Sequence, residues 1–366
     1  MKKHTKSVII ILLLTIAVLP LFSTEDSRQP FLRFELAPME PLFREPLADP
    51  YSCSSSVTHM SMSDEQSIPH TVLISNGEEY EEVSFRDVDF ENKNEFFQLK
   101  SAVNIGLMRL SVGPLQVEGY LQGGLSSTFQ GFGALDTLGF GGIYGAGVSV
   151  RLFNVLALQG GLHHFSGHWG DETLVTLAEE GVDLANTKLE EYTRGNSWLA
   201  GFSLDFSEHG RIYGFAELPM DQAWVRPGIH VPSFVYKPGS TEQLQFDYIT
   251  GQEGLTDLEL YDSSYKAWRL QCGLEYRIPI LKLGSLFLAG DFQFHQDGQT
   301  LHQVGAYSPD NPWETEFTVG GGFEFDQTLL GRKIRLEAYY HDGRFPELNF
   351  FYQRSRYISM GFAVNG

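Results

Sequence analysis

The sequence predicts an all-β protein: a closed antiparallel transmembrane β-barrel of about twelve strands, with ten the next count. Three observations carry this. Apolar and polar residues alternate in most segments, the links between segments are short and long in turn, and aromatic residues recur eight positions apart on one face. Outer-membrane barrels have short periplasmic turns and longer extracellular loops, so the rhythm of the links also orients the chain.

The N-terminus reads as an export signal. Lys2, Lys3 and Lys6 precede an apolar run from Val8 to Leu19, followed by Pro20 and the small residues Ser23 and Thr24. Residues 1–23 are assigned to the signal peptide, 24–50 to an N-terminal periplasmic or plug segment, and 51–366 to the barrel. Removing 1–23 deletes three Lys and no acidic residue, so the net charge moves from −20 to −23. Nucleic acid is thereby excluded as a partner, since phosphate binding needs a concentrated basic surface. Cys53 and Cys272 fall in separate predicted strands, which gives a disulfide no local support.

Short links fall at Gly113–Pro114, Phe153–Asn154, Ser207–Gly210, Pro279–Leu283 and Asp326–Gly331. Long ones run Ser63–Phe96, Ser127–Leu138, Gly167–Arg194, Pro219–Ser264, Asp297–Pro312 and Gly343–Tyr352. The first strand, Tyr51 to Met62, is Ser-rich and has little apolar contrast. The clearest alternation sets Trp268, Leu270, Cys272, Leu274, Tyr276 and Ile278 against Arg269, Gln271, Gly273, Glu275 and Arg277. A Lys or Arg facing lipid at mid-membrane costs about 2 to 4 kcal/mol, so the charged row must face the lumen.

Equivalent inward rows carry Asp291, Gln293 and His295, then Glu324, then Arg335, Glu337 and His341. Charges on adjoining strands imply either a salt-bridged interior or a narrow polar path. Trp198 and Phe206, Trp268 and Tyr276, and Phe317 and Phe325 are same-face pairs. At about 3.3 Å per residue and a tilt of about 40°, their spacing spans roughly 20 Å, close to the apolar band of a barrel. The terminal strand turns Ile358, Met360, Phe362 and Val364 outward, an amphipathic ending that resembles the signal read by the barrel assembly machinery.

The segment His163 to Glu172 is the densest cluster of reactive side chains, at the external end of the fifth strand. Stepping by twos from Leu158 and Leu162 places His164 and Ser166 on the lipid-facing row, and stepping back from Trp198 places Asn196 on the same surface. A His near a Ser can take its proton while a third polar group holds the ring. This arrangement resembles the outer-membrane phospholipase A family, twelve-stranded barrels with a His-x-Ser pair and an Asn on the next strand. That resemblance implies His164 as base, Ser166 as nucleophile and Asn196 as orienting residue, with Asp171 or Glu172 helping to bind Ca²⁺, a cation that takes several oxygens. A metal site using His163, His164, His168 and Asp171 is disfavoured, because neighbouring strand residues point to opposite faces and His163 cannot readily join His164.

The chain is also similar to a bacterial outer-membrane family known only as a domain of unknown function. Pro46, Leu47, Ala48, Asp49 and Pro50, the His164 to Glu172 block, Asn196, and Tyr340, His341, Asp342, Gly343 and Arg344 with Phe351 and Tyr352 carry that likeness. It runs from about Phe43 to the C-terminus, departs at Gly167 and Trp169, and implies a barrel without an activity. The leading expectation is therefore an outer-membrane barrel of structural, binding or passive-transport type, in contact with outer-membrane lipids. The alternative is a lipid or acyl-ester hydrolase at the external rim.

Overall fold

The computed structural model describes residues 31–38, 40–64, 71–75, 80–84, 94–131, 137–170, 172–173, 188–189, 193–206, 209–220, 268–280, 282–296, 313–329, 332–347, 350 and 354–364. The expected signal peptide lies outside the described residues. β1 (Leu32–Leu36) is followed by β2 (Ser55–Met62) and by two short strands, β3 (Thr71–Ser75) and β4 (Tyr80–Ser84). β5 (Glu95–Val112), β6 (Leu115–Gln130), β7 (Thr137–Leu152) and β8 (Leu156–Trp169) are long. β9 (Lys188–Leu189) precedes β10 (Thr193–Phe206) and β11 (Gly210–Pro219). β12 (Arg269–Ile280), β13 (Gly284–His295), β14 (Glu314–Leu329), β15 (Arg332–Arg344) and β16 (Arg354–Val364) complete the series.

Twelve strands, β2, β5 to β8 and β10 to β16, form one antiparallel sheet that closes because β5 pairs with both β2 and β6. Closure satisfies backbone donors and acceptors between neighbouring strands, the condition for crossing hydrocarbon without helices. The staves are tilted. Followed through its partners once round the barrel, Leu115 at the start of β6 returns beside Gln130 at the end of the same strand. At the periplasmic ends, Gly113, Phe153 and Asn154 take positive φ to close tight turns. β3, β4 and β9 make a separate small sheet.

The outer surface is the apolar one. Leu274 is 52% exposed and Leu288 59%, whereas Glu275 and Gln293, on the opposite faces of the same two strands, are buried. The single-residue alternation of β12 thus sorts lipid from lumen along its whole length. The inner face is a network of charge: Arg109 pairs with Glu118, Arg151 with Asp205, Arg211 and Arg277 with Glu275, and Arg269 with Glu217. The interior is therefore packed and salt-bridged. Both cysteines are free, Cys53 buried and Cys272 exposed.

One stave is broken. β1 and β2 pair along the same edge of β5, β1 at Met108 to Val112 and β2 at Glu95 to Lys100, but the chain between them leaves the wall. Ala37, with φ of 46°, makes the bend after a last bond from its N–H to the Leu107 carbonyl. The chain then crosses the bore and returns at Cys53, whose thiol donates to the Val103 carbonyl at 3.3 Å. Strand β2 consequently starts at Ser55, four residues later than the alternation suggests, because Tyr51 to Ser54 belong to this inner segment. Alternation does not foresee β1, a thirteenth strand on the sheet.

Wall residues hold the inner segment largely by its main chain. Glu118 accepts from the Leu42 N–H and Glu275 from the Leu47 N–H, both at 2.9 Å. Arg151 donates to the Leu42 carbonyl, Tyr339 to that of Leu47 and Lys100 to that of Pro50. Irregular backbone at membrane depth needs such partners, since no water is there to supply them. Leu47 and Ala48 pack against Phe287, Ala289 and Tyr339, and Phe43 meets Phe215 with ring centroids 5.2 Å apart. Between plug and wall lies a cavity of about 30 Å³ lined by Glu45, Tyr51, His163, Glu217, Arg269 and Gln271 among others, room for one or two waters. Above it, Phe345 and Phe350 fold inward from the link between β15 and β16 and pack on Phe96 and Trp169.

Candidate functional site

The external half of β8 is set between β7 and β10. Register brings Tyr144 opposite His164 and Gly142 opposite Ser166 on one side, and Asn196 opposite His164 on the other. A bulge between Thr193 and Gly195 shifts the ladder so that Thr193 faces Ser166. Inward, His163 lies 3.2 Å from Glu217, Phe165 packs on Tyr51, and Trp169 on Phe350. His163 and His164 therefore face opposite sides of the wall, as the strand period requires.

On the outer row Ser166 is buried at 7% exposure, His164 and His168 are half-buried, and Asn196 is exposed. Ser166 Oγ shares a hydrogen bond with His168 Nε2 at 3.2 Å. The His168 ring stacks on Phe140, with centroids 5.0 Å apart and planes 29° from parallel. The His164 ring lies 5.9 Å from that of Tyr144. Ser166 thus sits between two imidazoles on alternate residues of one strand, each steadied by an aromatic neighbour from β7.

Gly142 shapes the space in front of Ser166. A Cβ built there would lie 3.0 Å from Ser166 Oγ, 3.1 Å from Tyr144 Cε2 and 3.4 Å from the Tyr144 hydroxyl. A side chain at residue 142 would therefore crowd both Ser166 and the Tyr144 ring, and glycine lets the two approach. Sequence reasoning selected Ser166, His164 and Asn196 but did not pair Ser166 with His168, nor bring Gly142 and Tyr144 to it. Period two alone puts His168 on the row, whereas the other two arrive only through cross-strand register.

Of the two carboxylates expected to help bind Ca²⁺, Asp171 lies outside the described residues and Glu172 is exposed just beyond β8. Among the described residues no group of three or more His, Cys, Asp or Glu is placed to hold a metal ion.

No family model and no curated protein matches the chain. Among solved structures, the chain is similar to outer membrane phospholipase A from Escherichia coli at 10% identity, covering 89% of this chain and 93% of the other with a TM-score of 0.45. The outer membrane phospholipase dimer of Salmonella typhi, with bound calcium, gives 12% identity, the same coverages and a TM-score of 0.45. The translocator domain of the autotransporter NalP from Neisseria meningitidis gives 10% identity, 99% and 97% coverage, and a TM-score of 0.35. Nothing about activity passes from them to this chain. By its own closed wall and apolar outer face, the chain is a barrel of the outer-membrane kind.

Proposed function

We propose that this protein is a non-conducting barrel of structural or binding type, its bore occupied by its own N-terminal segment. One observation carries the reading: residues 42–53 cross the lumen and bond to wall residues on β5, β6, β7, β12, β13 and β15. Under this reading the inner segment occupies the path that passive transport would need. Planar-bilayer recording tests it. The intact protein is expected to give no stable conductance steps, and a version lacking residues 38–53 to give them. Sustained ohmic conductance from the intact protein would contradict the reading.

A second reading is favoured by the Ser166–His168 hydrogen bond and the His164–Asn196 cross-strand pair on the lipid-facing rim. It is an acyl-ester hydrolase acting on outer-leaflet lipid, with Ser166 as nucleophile. The expected assay is fatty-acid release from phospholipid in mixed micelles, with Ca²⁺ or with a chelator. Under this reading Glu172, with Asp171, is the proposed source of carboxylate ligands for Ca²⁺, which would supply positive charge at the ester head group. Ser166→Ala is expected to abolish release, and undiminished release by that variant would remove Ser166 from the reaction. The barrel assembly machinery remains the proposed partner in biogenesis, through the amphipathic β16.

A further inference from the structure

We infer that His168, rather than His164, is the base that serves Ser166. This rests on the hydrolase reading. A proton acceptor must be within hydrogen-bond reach of the proton it takes. His168 Nε2, at 3.2 Å from Ser166 Oγ, meets that condition, and the Phe140 face holds its ring in place.

Gly142 lies beside the nucleophile. Ser166 Oγ and the Tyr144 hydroxyl lie 3.0 and 3.4 Å from the position a Cβ at Gly142 would occupy. A side chain at residue 142 would press on Ser166 Oγ, so glycine there leaves the nucleophile uncrowded on its β7 side. The surroundings name the substrate class. Phe140, Leu162 and Trp198 are exposed on the same outer face, so the acyl chain of a membrane lipid can lie along the wall while its ester reaches Ser166.

The step balances without a further reagent. The Ser166 proton passes to His168 Nε2 as the bond from Oγ to the carbonyl carbon forms and the carbonyl electron pair moves onto oxygen. Collapse breaks the ester C–O bond, and the leaving alkoxide takes the proton from His168. Water then gives a proton to His168 as its oxygen attacks the acyl carbon, and Ser166 recovers that proton when the fatty acid leaves. His164 instead lies against the Tyr144 ring and opposite Asn196.

The test uses the full-length barrel in mixed micelles of phosphatidylcholine and detergent, with two readouts: fatty-acid release and covalent labelling by a fluorophosphonate serine probe. Wild type is expected to show both, and Ser166→Ala neither. His168→Gln is expected to lower labelling rate at least a hundredfold, a typical contribution of a positioned base, and at least tenfold more than His164→Gln. Imidazole added to His168→Ala is expected to restore part of the labelling. Each variant's heat-modifiable mobility shows that it has folded. An active wild type in which His164→Gln is hit as hard as or harder than His168→Gln would overturn the assignment to His168 while leaving the hydrolase intact. Failure of folded wild type to release fatty acid or take the probe would sink the hydrolase reading itself.

Discussion

Tyr339 on β15 donates its hydroxyl to the carbonyl of Leu47 at 2.8 Å, joining the barrel wall to the segment that fills it. Both residues are buried. Tyr339→Phe keeps the ring packing and removes the donor, which leaves a carbonyl unpaired at a cost of about 1 to 3 kcal/mol. The expected result is a lower urea midpoint for unfolding in detergent micelles.

Gly106 marks where the inner segment passes the wall. A Cβ there would fall 2.5 Å from Pro38 Cγ and 2.6 Å from Glu118 Oε2, the carboxylate whose other oxygen receives the Leu42 N–H. Gly106→Val is expected to dislodge the segment without opening the barrel. Cys53 is the native reporter: at 2% exposure its thiol should react slowly with maleimide in a Cys272→Ser background, and much faster once residue 106 is Val.

Leu274 faces lipid in the middle of β12. Leu274→Arg is expected to lower the folding free energy into phospholipid vesicles by about 2 to 4 kcal/mol, the range for a cation on the lipid side of a barrel. A soluble β-sandwich would register the change as a neutral surface substitution.

Arg211 and Arg33 allow a direct comparison of buried and exposed charge. The Arg211 side chain is 1% exposed, pairs with Glu275 and donates to Ser203 and to the Glu45 carbonyl. Arg33 pairs with Glu35 at 45% exposure. Removing one member of a buried pair strands its partner and costs about 3 to 5 kcal/mol, while an exposed pair contributes about 0 to 1 kcal/mol. Arg211→Ala should therefore destabilise the barrel strongly in urea titrations and Arg33→Ala barely at all.

The barrel was legible because lipid imposes a strict rule on every second residue. Strands such as β12, with Leu274 out and Glu275 in, announce both their geometry and their orientation. The alternating link lengths then supply the up-and-down order, which the pairing of the barrel strands from β5 to β8 and β10 to β16 follows. The broken stave was not legible, because Pro46 to Pro50 has no period and its backbone partners, among them Glu118, Glu275 and Tyr339, come from distant parts of the chain. β1 escaped for a related reason: five residues are too few to show a repeat. At the rim, period two identified a row containing His164 and Ser166, but the Ser166–His168 bond depends on rotamers, and the approach of Gly142 to Ser166 depends on the β7 to β8 register.

Closure of the sheet between its first and last barrel strands is the central claim, and Val57 and Phe362 face each other across that seam. With Cys53 and Cys272 replaced by Ser, Val57→Cys and Phe362→Cys together should form a disulfide on mild oxidation in membranes, giving a covalently closed chain of altered gel mobility. A Leu270→Cys and Phe294→Cys pair on β12 and β13 is the matched control. Cross-linking of the control with none at the seam would contradict a closed barrel.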